Sequence, residues 1–335
     1  MGLGHQTGPE FGGFRMANRS LLTSVDGLRF EPVFARAPAK LNLSLEVLAR
    51  RADGFHEIES LMVPVTLADT VRVQKSSMPG IRLHVRFGGR LATAAGSPLA
   101  HDVPTDASNL VVRAAQALAV EAGLAASPVS LCTPGLDIDL VKRIPSGSGL
   151  GGGSSDAAAV LKAATQAWGL DIPKERLAEI GGRIGSDVPV FFAGVAAIAC
   201  GRGERIEPVT GMPPLHAVIA RPVAGLSTAA VYGHCTPDAS RRGTAHKLAA
   251  ALVAGRFRES LSLMHNSLEE PARSMCADVA RLLEDFSRSG AVHPMLTGSG
   301  SACFALMRSA MESRRVAARL EMAGWPGVFT VRLAS

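Results

Sequence analysis

Twelve consecutive residues decide most of what this chain can become: Pro145-Ser146-Gly147-Ser148-Gly149-Leu150-Gly151-Gly152-Gly153-Ser154-Ser155-Asp156. The five glycines let the backbone enter φ > 0 conformations and turn its N–H groups inward. An Ala-rich run over residues 157–164 follows at once, and the N-terminus of the helix it predicts adds unpaired donors and partial positive charge. Such a loop suits an anion. An ordinary Gly/Ser linker has the same composition, but linkers are seldom bounded by a strand-like run (residues 136–144) on one side and a helix on the other.

The loop is not a Walker loop, because Gly153 is followed by Ser154, Ser155 and Asp156 where that pattern needs Lys and Ser/Thr. Residues 147–152 do satisfy G-x-G-x-x-G, and Asp171 stands near the distance at which a dinucleotide fold places its ribose acid. Two features argue against that fold. Leu136, Ile138 and Leu140 alternate with Asp137 and Asp139, a half-solvated strand rather than a buried parallel one, and the loop lies mid-chain rather than at a first βα turn.

A chain of 335 residues, 47% hydrophobic and 19% charged, is long enough for one large domain or two moderate ones. The net charge of +6 comes from scattered Arg without a Lys/Arg block, and aromatics make up 4%. That composition argues against nucleic acid as a partner and is compatible with small polyanions such as phosphates. Five widely spaced cysteines (Cys132, Cys200, Cys235, Cys276, Cys303) without a C-x-x-C pair indicate neither a disulfide framework nor a zinc site, and fit a reducing cytoplasm. The most apolar run, residues 188–200, contains Pro189 and Gly194, is too short to span a bilayer, and reads as a core strand. Residues 1–30 lack the apolar stretch of a secretory signal and read as a disordered extension, with Met16 a possible natural start.

Leu41, Leu43, Leu45 and Val47 alternate with Lys40, Asn42, Ser44 and Glu46, which predicts a strand over residues 34–50 with its leucines inward. Lys40 and Asn42 share the polar face, and on the pattern alone Lys40 reads as a solvated edge lysine. Asp53-Gly54 signals a hairpin into strands over 58–65 and 67–73, with His56 a surface or satisfied residue just past the turn. A further strand at 81–87 precedes a loop at 88–104 and a helix over 110–121, capped by Ser108 or Asn109. After the glycine loop come helices over 157–168 and from Pro173 to Gly185. Asp187 follows, where a carboxylate reads first as a cap on backbone donors. Beyond Gly201-Arg202-Gly203 the composition shifts, and we place a boundary there: 31–200 as a first domain and 201–335 as a second. The second contains strands over 216–220 and 328–333, helices over 245–253, 257–268, 272–287 and 310–322, and, over 295–306, a second Gly/Ser turn running into an apolar strand. That order suits an α+β layer of helices on an antiparallel sheet.

Three segments together carry a resemblance: Ala37-Pro38-Ala39-Lys40-Leu41-Asn42-Leu43, residues 145–158, and residues 296–304. They resemble, in order, the three motifs of the GHMP small-molecule kinases, and the likeness runs from about Arg36 to the end of the chain. The resemblance implies an α+β fold of two domains: an N-terminal ATP-binding domain and a C-terminal antiparallel sheet with helices. It implies ATP and Mg²⁺ as cofactors, the residues Pro145 to Ser155 around the triphosphate, a Ser of Ser154-Ser155 near Mg²⁺, and residues 298–301 closing over the site. Lys40 and Asp187 become the phosphoryl-transfer pair. Such transfer needs an aligned hydroxyl, a carboxylate to accept its proton, and positive charge near the developing negative one.

Residues 50–57 and 185–191 further resemble one branch of that family, whose small-molecule acceptor is an alcohol esterified to cytidine diphosphate. The resemblance places Phe55, His56 and Tyr232 around the cytosine, Asn42 near the reacting hydroxyl, and Thr228 as a further acceptor contact. Phe55 stands where the branch more often has Tyr, so the stacking face is kept and a hydroxyl is lost. A buried core ring remains the alternative for Tyr232. Homoserine and mevalonate kinases, which would not need Phe55-His56, remain the alternative for the chain.

Overall fold

The computed structural model describes residues 30–92, 103–126 and 135–334. Residues 1–29 of the expected extension, Cys132 and most of the expected loop at 88–104 lie outside them. Glu31–Ser335 form one compact unit.

Strands β1 (Val33–Arg50) and β2 (His56–Ser76) make a long antiparallel hairpin, paired from Val33 opposite Val73 to Arg50 opposite His56 with register shifts between Pro38 and Lys40, Asn42 and Ser44, and Val47 and Ala49. The turn is closed by Gly54 at φ 83° and by the Asp53 carboxylate, which accepts the N–H of Phe55 at 3.1 Å. The two short strands expected after this turn are one continuous strand. β3 (Ile81–Phe87) and β4 (Gly135–Lys142) extend the sheet, with α1 (Leu110–Glu121) between them. Asn109 caps α1, accepting the N–H of Val111 at 2.8 Å. β4 has the expected half-solvated pattern: Leu136, Ile138 and Leu140 are buried, while Asp137 and Asp139 pair with Arg82 and Arg72 at 2.6 and 2.7 Å.

Helix α2 (Gly152–Trp168) starts inside the glycine stretch, five residues before the Ala-rich run suggested. Ser154, Ser155 and Asp156 are therefore helical, because φ turns positive only up to Gly151. α3 (Lys174–Ile184) follows, and the apolar run expected as one core strand is split: α4 (Val190–Ala193) ends at Gly194, in the left-handed region, before β5 (Ala196–Gly201) begins. β6 (Arg205–Val209) pairs with β5, and β5 pairs with β2.

β7 (His216–Arg221) opens a second, four-stranded antiparallel sheet. It is followed by α5 (Thr228–Gly233), α6 (Thr244–Val253) and α7 (Phe257–Leu263). The helix expected to run to residue 268 stops short, because β8 (His265–Asn266) joins the first sheet beside β1. The Asn266 amide holds that break: its Oδ1 accepts the N–H of Leu268, and its Nδ2 donates to the carbonyls of Leu296 and Gly298. The helix expected over 272–287 is two helices, α8 (Glu269–Met275) and α9 (Ala277–Arg288), parted at the extended Cys276. β9 (Met295–Leu296), β10 (Cys303–Met307), α10 (Ala310–Met322) and β11 (Gly327–Arg332) complete the chain, and the second sheet reads β11-β7-β10-β9.

Both faces of β1 are covered. Leu41 and Leu43 enter a core shared with β7, β10 and α6, and Leu45 and Val47 one shared with α9 and α10, so the inward leucines are as expected. The opposite face is the correction: Lys40, Asn42, Ser44 and Glu46 are also buried, so Lys40 is no solvated edge lysine. A buried polar row must find partners to offset its desolvation. Glu46 meets Arg241 and His265, and Lys40 and Asn42 meet the site described next.

Candidate active site

β2 has β5 as its partner up to Met62 and β4 from Thr70 onward, and between them the end of the chain bridges it, Leu333 opposite Val65. Asp69 sits where β4 leaves the sheet, and its carboxylate accepts the N–H groups of Arg143 and Ile144, the latter at 2.8 Å. The chain turns there into the glycine loop. Gly147, Gly149 and Gly151 take φ of 61°, 77° and 70°. Gly149 admits no side chain, since a Cβ would lie 2.2 Å from the Thr297 carbonyl oxygen. Gly151 precedes α2 without a side-chain cap, so the first N–H groups of that helix face the cleft unclaimed by a cap.

The loop is braced from the second sheet. Arg221, fully buried at the end of β7, donates to the carbonyls of Ser146, Pro222 and Val223. Ala302 donates its N–H to Ser148 O at 3.1 Å, and Gly298 lies against Gly149. Residues 297–302 thus support the loop. From β1, the Lys40 N–H bonds Leu150 O at 3.0 Å.

These elements wall a cleft of 1070 Å³. Of the residues expected around a triphosphate, Pro145, Ser146, Gly147, Ser148, Gly149, Gly151, Gly152, Gly153 and Ser154 line it. Leu150 turns its side chain into the core, and Ser155 is buried with its Oγ unpartnered.

Lys40 and Asp187, far apart in sequence, meet in the cleft with Nζ and Oδ2 3.7 Å apart. Lys40 is 3% exposed, and burial, opposed by Asp187, holds its ammonium below the usual lysine range. Asp187 lies in the turn between α3 and α4, closed by Val188 N–H to Gly185 O at 3.1 Å. Its carboxylate faces Lys40 and caps no backbone donor among the described residues, which overturns its first reading as a cap. Asn42 also lines the cleft, but its amide is already engaged: Oδ1 accepts from Lys40 Nζ and Nδ2 donates to Ser60 Oγ at 2.8 Å. It orients Lys40.

At the other end of the cleft stand Phe55, His56, Thr228 and Tyr232. Phe55 is half exposed, with the Arg202 guanidinium over its ring at 4.9 Å. The His56 and Tyr232 rings touch, centroids 5.2 Å apart at 35°, so no base fits between those two. His56 Nε2 is buried without a partner, and burial, helped by Arg50, pulls its pKa down, favouring the neutral ring. Tyr232 packs against the core and lines the cleft at once, so the two readings of it coexist; burial pushes its phenol pKa up. Thr228, at the start of α5 rather than in a loop, shares a 2.8 Å hydrogen bond with Ser299.

Sequence reasoning missed a buried charge cluster beneath the loop. Lys142, the last residue of β4, bridges Asp69 on β2 and Asp156 on α2, the latter at 2.6 Å. Against the pull of burial, Asp156 and Asp69 hold Lys142 above its usual range. Burial, with Asp69 adding and Lys142 opposing, pushes Asp156 up to about 8, and its Oδ1 has no partner. Lys142 and Asp156 both line the cleft. The signal available was an Asp one helical turn into a glycine loop and a Lys closing the preceding strand; Asp69, in a distant strand, gave none. Arg221 closed an apolar strand and also went unremarked.

Comparison with known proteins fits this architecture. A model of the GHMP kinases N terminal domain matches residues 109–195, and one of the GHMP kinases C terminal matches 248–324. A 4-diphosphocytidyl-2-C-methyl-D-erythritol kinase of Rhodopirellula baltica is 40% identical over 316 residues, covering 88% of this chain and 92% of the relative. One of Shouchella clausii with the same name is 36% identical, covering 84% and 88%. A crystal structure of 4-(cytidine 5'-diphospho)-2C-methyl-D-erythritol kinase superposes with a TM-score of 0.69 at 32% identity, covering 90% of this chain and 99% of that one. Homoserine kinase from Cytophaga hutchinsonii, 18% identical with a TM-score of 0.64, shares the fold. The chain belongs to the GHMP kinases, and within them to the family of these 4-diphosphocytidyl-2-C-methyl-D-erythritol kinase relatives.

Proposed function

We propose that this chain transfers the γ-phosphoryl group of ATP to the 2-hydroxyl of 4-diphosphocytidyl-2-C-methyl-D-erythritol, in the cytoplasm, on the non-mevalonate route to isoprenoid precursors. The observation that carries the reading is the approach of Lys40 and Asp187 in one cleft with the glycine loop. The boundary near Gly201-Arg202-Gly203, between a nucleotide half (31–200) and a C-terminal half (201–335), belongs to the same proposal.

The residues present fit the nucleotide. Positive-φ glycines and an uncapped helix N-terminus offer N–H groups to phosphate oxygens. For Mg²⁺, a cation with hard oxygen preferences, the Ser154 hydroxyl and the unpartnered Asp156 carboxylate oxygen are the donors at hand. When bound, ATP with Mg²⁺ supplies the phosphoryl group and neutralises its charge. Asp187 then accepts the proton of the acceptor hydroxyl. Lys40, oriented by Asn42 and facing Asp187, lowers the pKa of that hydroxyl and stabilises the negative charge developing on it. The unpartnered His56 Nε2 supports an edge contact to cytosine, and the Phe55 face supports a stack.

A coupled ADP-release assay compares the diphosphocytidyl substrate with its diphosphouridyl analogue. Preference for the cytidine compound is the expected result. Equal rates remove the cytosine assignment, and turnover of homoserine or mevalonate instead moves the chain to another branch.

A further inference from the structure

Four arginines crowd the end of the first sheet where the aromatic residues stand. Arg50 closes β1 opposite His56, Arg51 follows it, and Arg202 and Arg205 flank the turn after β5. Their carboxylate partners run short. Arg51 takes Asp53 and Glu57 at 3.2 and 2.7 Å, and Arg205 shares Glu57 at 3.0 Å. Glu204 spends its carboxylate on the backbone N–H of Arg202, and Glu59 on the N–H groups of Gly243 and Ala245 at the start of α6. Among the described residues Arg50 and Arg202 are left without an ion pair. Those two, and not Arg51 or Arg205, line the cleft.

Their placement is as informative as their charge. The Arg202 guanidinium lies over Phe55, while the next residue, Gly203, packs against the backbone of Ser186, the neighbour of Asp187. The turn carrying Arg202 therefore spans from the aromatic end to the reacting acid. Arg50 stands near enough to His56 to lower its pKa. A ligand with a base at one end and an alcohol at the other passes these guanidiniums with whatever links the two.

We propose that Arg202 and Arg50 form an anion subsite that holds the diphosphate joining base to alcohol, so that this enzyme selects its acceptor by charge as well as by base. The inference rests on the acceptor named above. A planar guanidinium can present two parallel N–H donors to a phosphate, and neither arginine has a carboxylate in direct contact to displace, Asp53 feeling Arg202 only from a distance. It also completes the charge balance of the cleft, since a dianionic linker approaching Asp187 needs compensation that Lys40, already facing Asp187 and Asn42, does not provide alone.

Calorimetric binding of cytidine, CMP and CDP, with the nucleotide site filled by a non-hydrolysable ATP analogue, tests this. The wild-type protein should bind CDP about tenfold or more tightly than cytidine, with the gap shrinking as salt is raised. Arg202→Gln and Arg50→Gln should each narrow the gap, and the double variant should abolish it while cytidine binding holds. Arg202→Lys should keep part of it, and Arg205→Gln, which removes the same charge outside the cleft, should keep all of it. In turnover, the double variant should raise KM for the acceptor with kcat and KM for ATP unchanged. Undiminished preference for CDP in the double variant overturns the inference while leaving the kinase reading intact. Failure of the wild type to bind any cytidine compound overturns both.

Discussion

The two ends of the cleft are built on different principles. The end proposed for phosphate is made of backbone: positive-φ glycines, an uncapped helix and carbonyls tied by Arg221 and Ala302, with so little slack that a single methyl at Gly149 would strike Thr297. The end proposed for the acceptor is made of side chains on strand ends and a short helix, with a half-exposed Phe55 and two guanidiniums that have no ion pair among the described residues. A backbone site suits a group that never varies, such as the triphosphate proposed for it. A side-chain site can be retuned one residue at a time.

Where the two ends meet, Asp187→Asn should cost the most: kcat should fall about 10²–10⁴-fold, with nucleotide affinity kept. Undiminished ADP release from a variant that still binds ATP removes Asp187 as the base. Within the phosphate end, Gly149→Ala should raise KM for ATP by more than about tenfold, because a left-handed residue costs about 1–2 kcal/mol before the clash with Thr297 is counted. Gly147→Ala has open space around its Cβ and should suffer only the conformational cost. Equal effects on ATP kinetics and thermal unfolding would break the claim that packing against residues 297–302 sets the loop. At the acceptor end, Phe55→Leu should raise KM for the acceptor about tenfold, within the range for one lost base stack, and leave KM for ATP alone.

The smallest effect concerns the charge cluster beneath the loop. Asp156 loses its proton near pH 4 when unfolded but holds it to about 8 when folded. Between those values the native state binds more protons, so this group's contribution to stability falls as pH rises from about 4 to 8 and is level above. Asp156→Asn, which cannot ionise, should therefore lose less thermal stability than the wild type between pH 5 and 8. Parallel melting curves for the two proteins would contradict the assignment.

How much of this was legible in the sequence follows the same division. The glycine loop is local, so twelve adjacent residues reveal it, and the alternating leucines of β1 foretell their buried face. The polar face of β1 could not be read, because alternation is the same whether Lys40 and Asn42 meet water or a partner arriving from residue 187 or 297. Pattern reading gave Lys40 to solvent and Asp187 to a helix cap, and only the family likeness pointed them at each other. The helix broken at Asn266 was missed for a similar reason: its amide answers to carbonyls some thirty residues on. Asp69 and Arg221 are invisible to local reading, since each acts on a loop made by another part of the chain.

Arg221 carries a last implication. The loop proposed to grip the nucleotide's tail borrows its brace from a strand that comes after residues 201–203, so a fragment ending there would keep every glycine of the motif and lose the buried guanidinium that holds Ser146. Severing the gene at that point should yield two polypeptides neither of which grips ATP, however well each one folds.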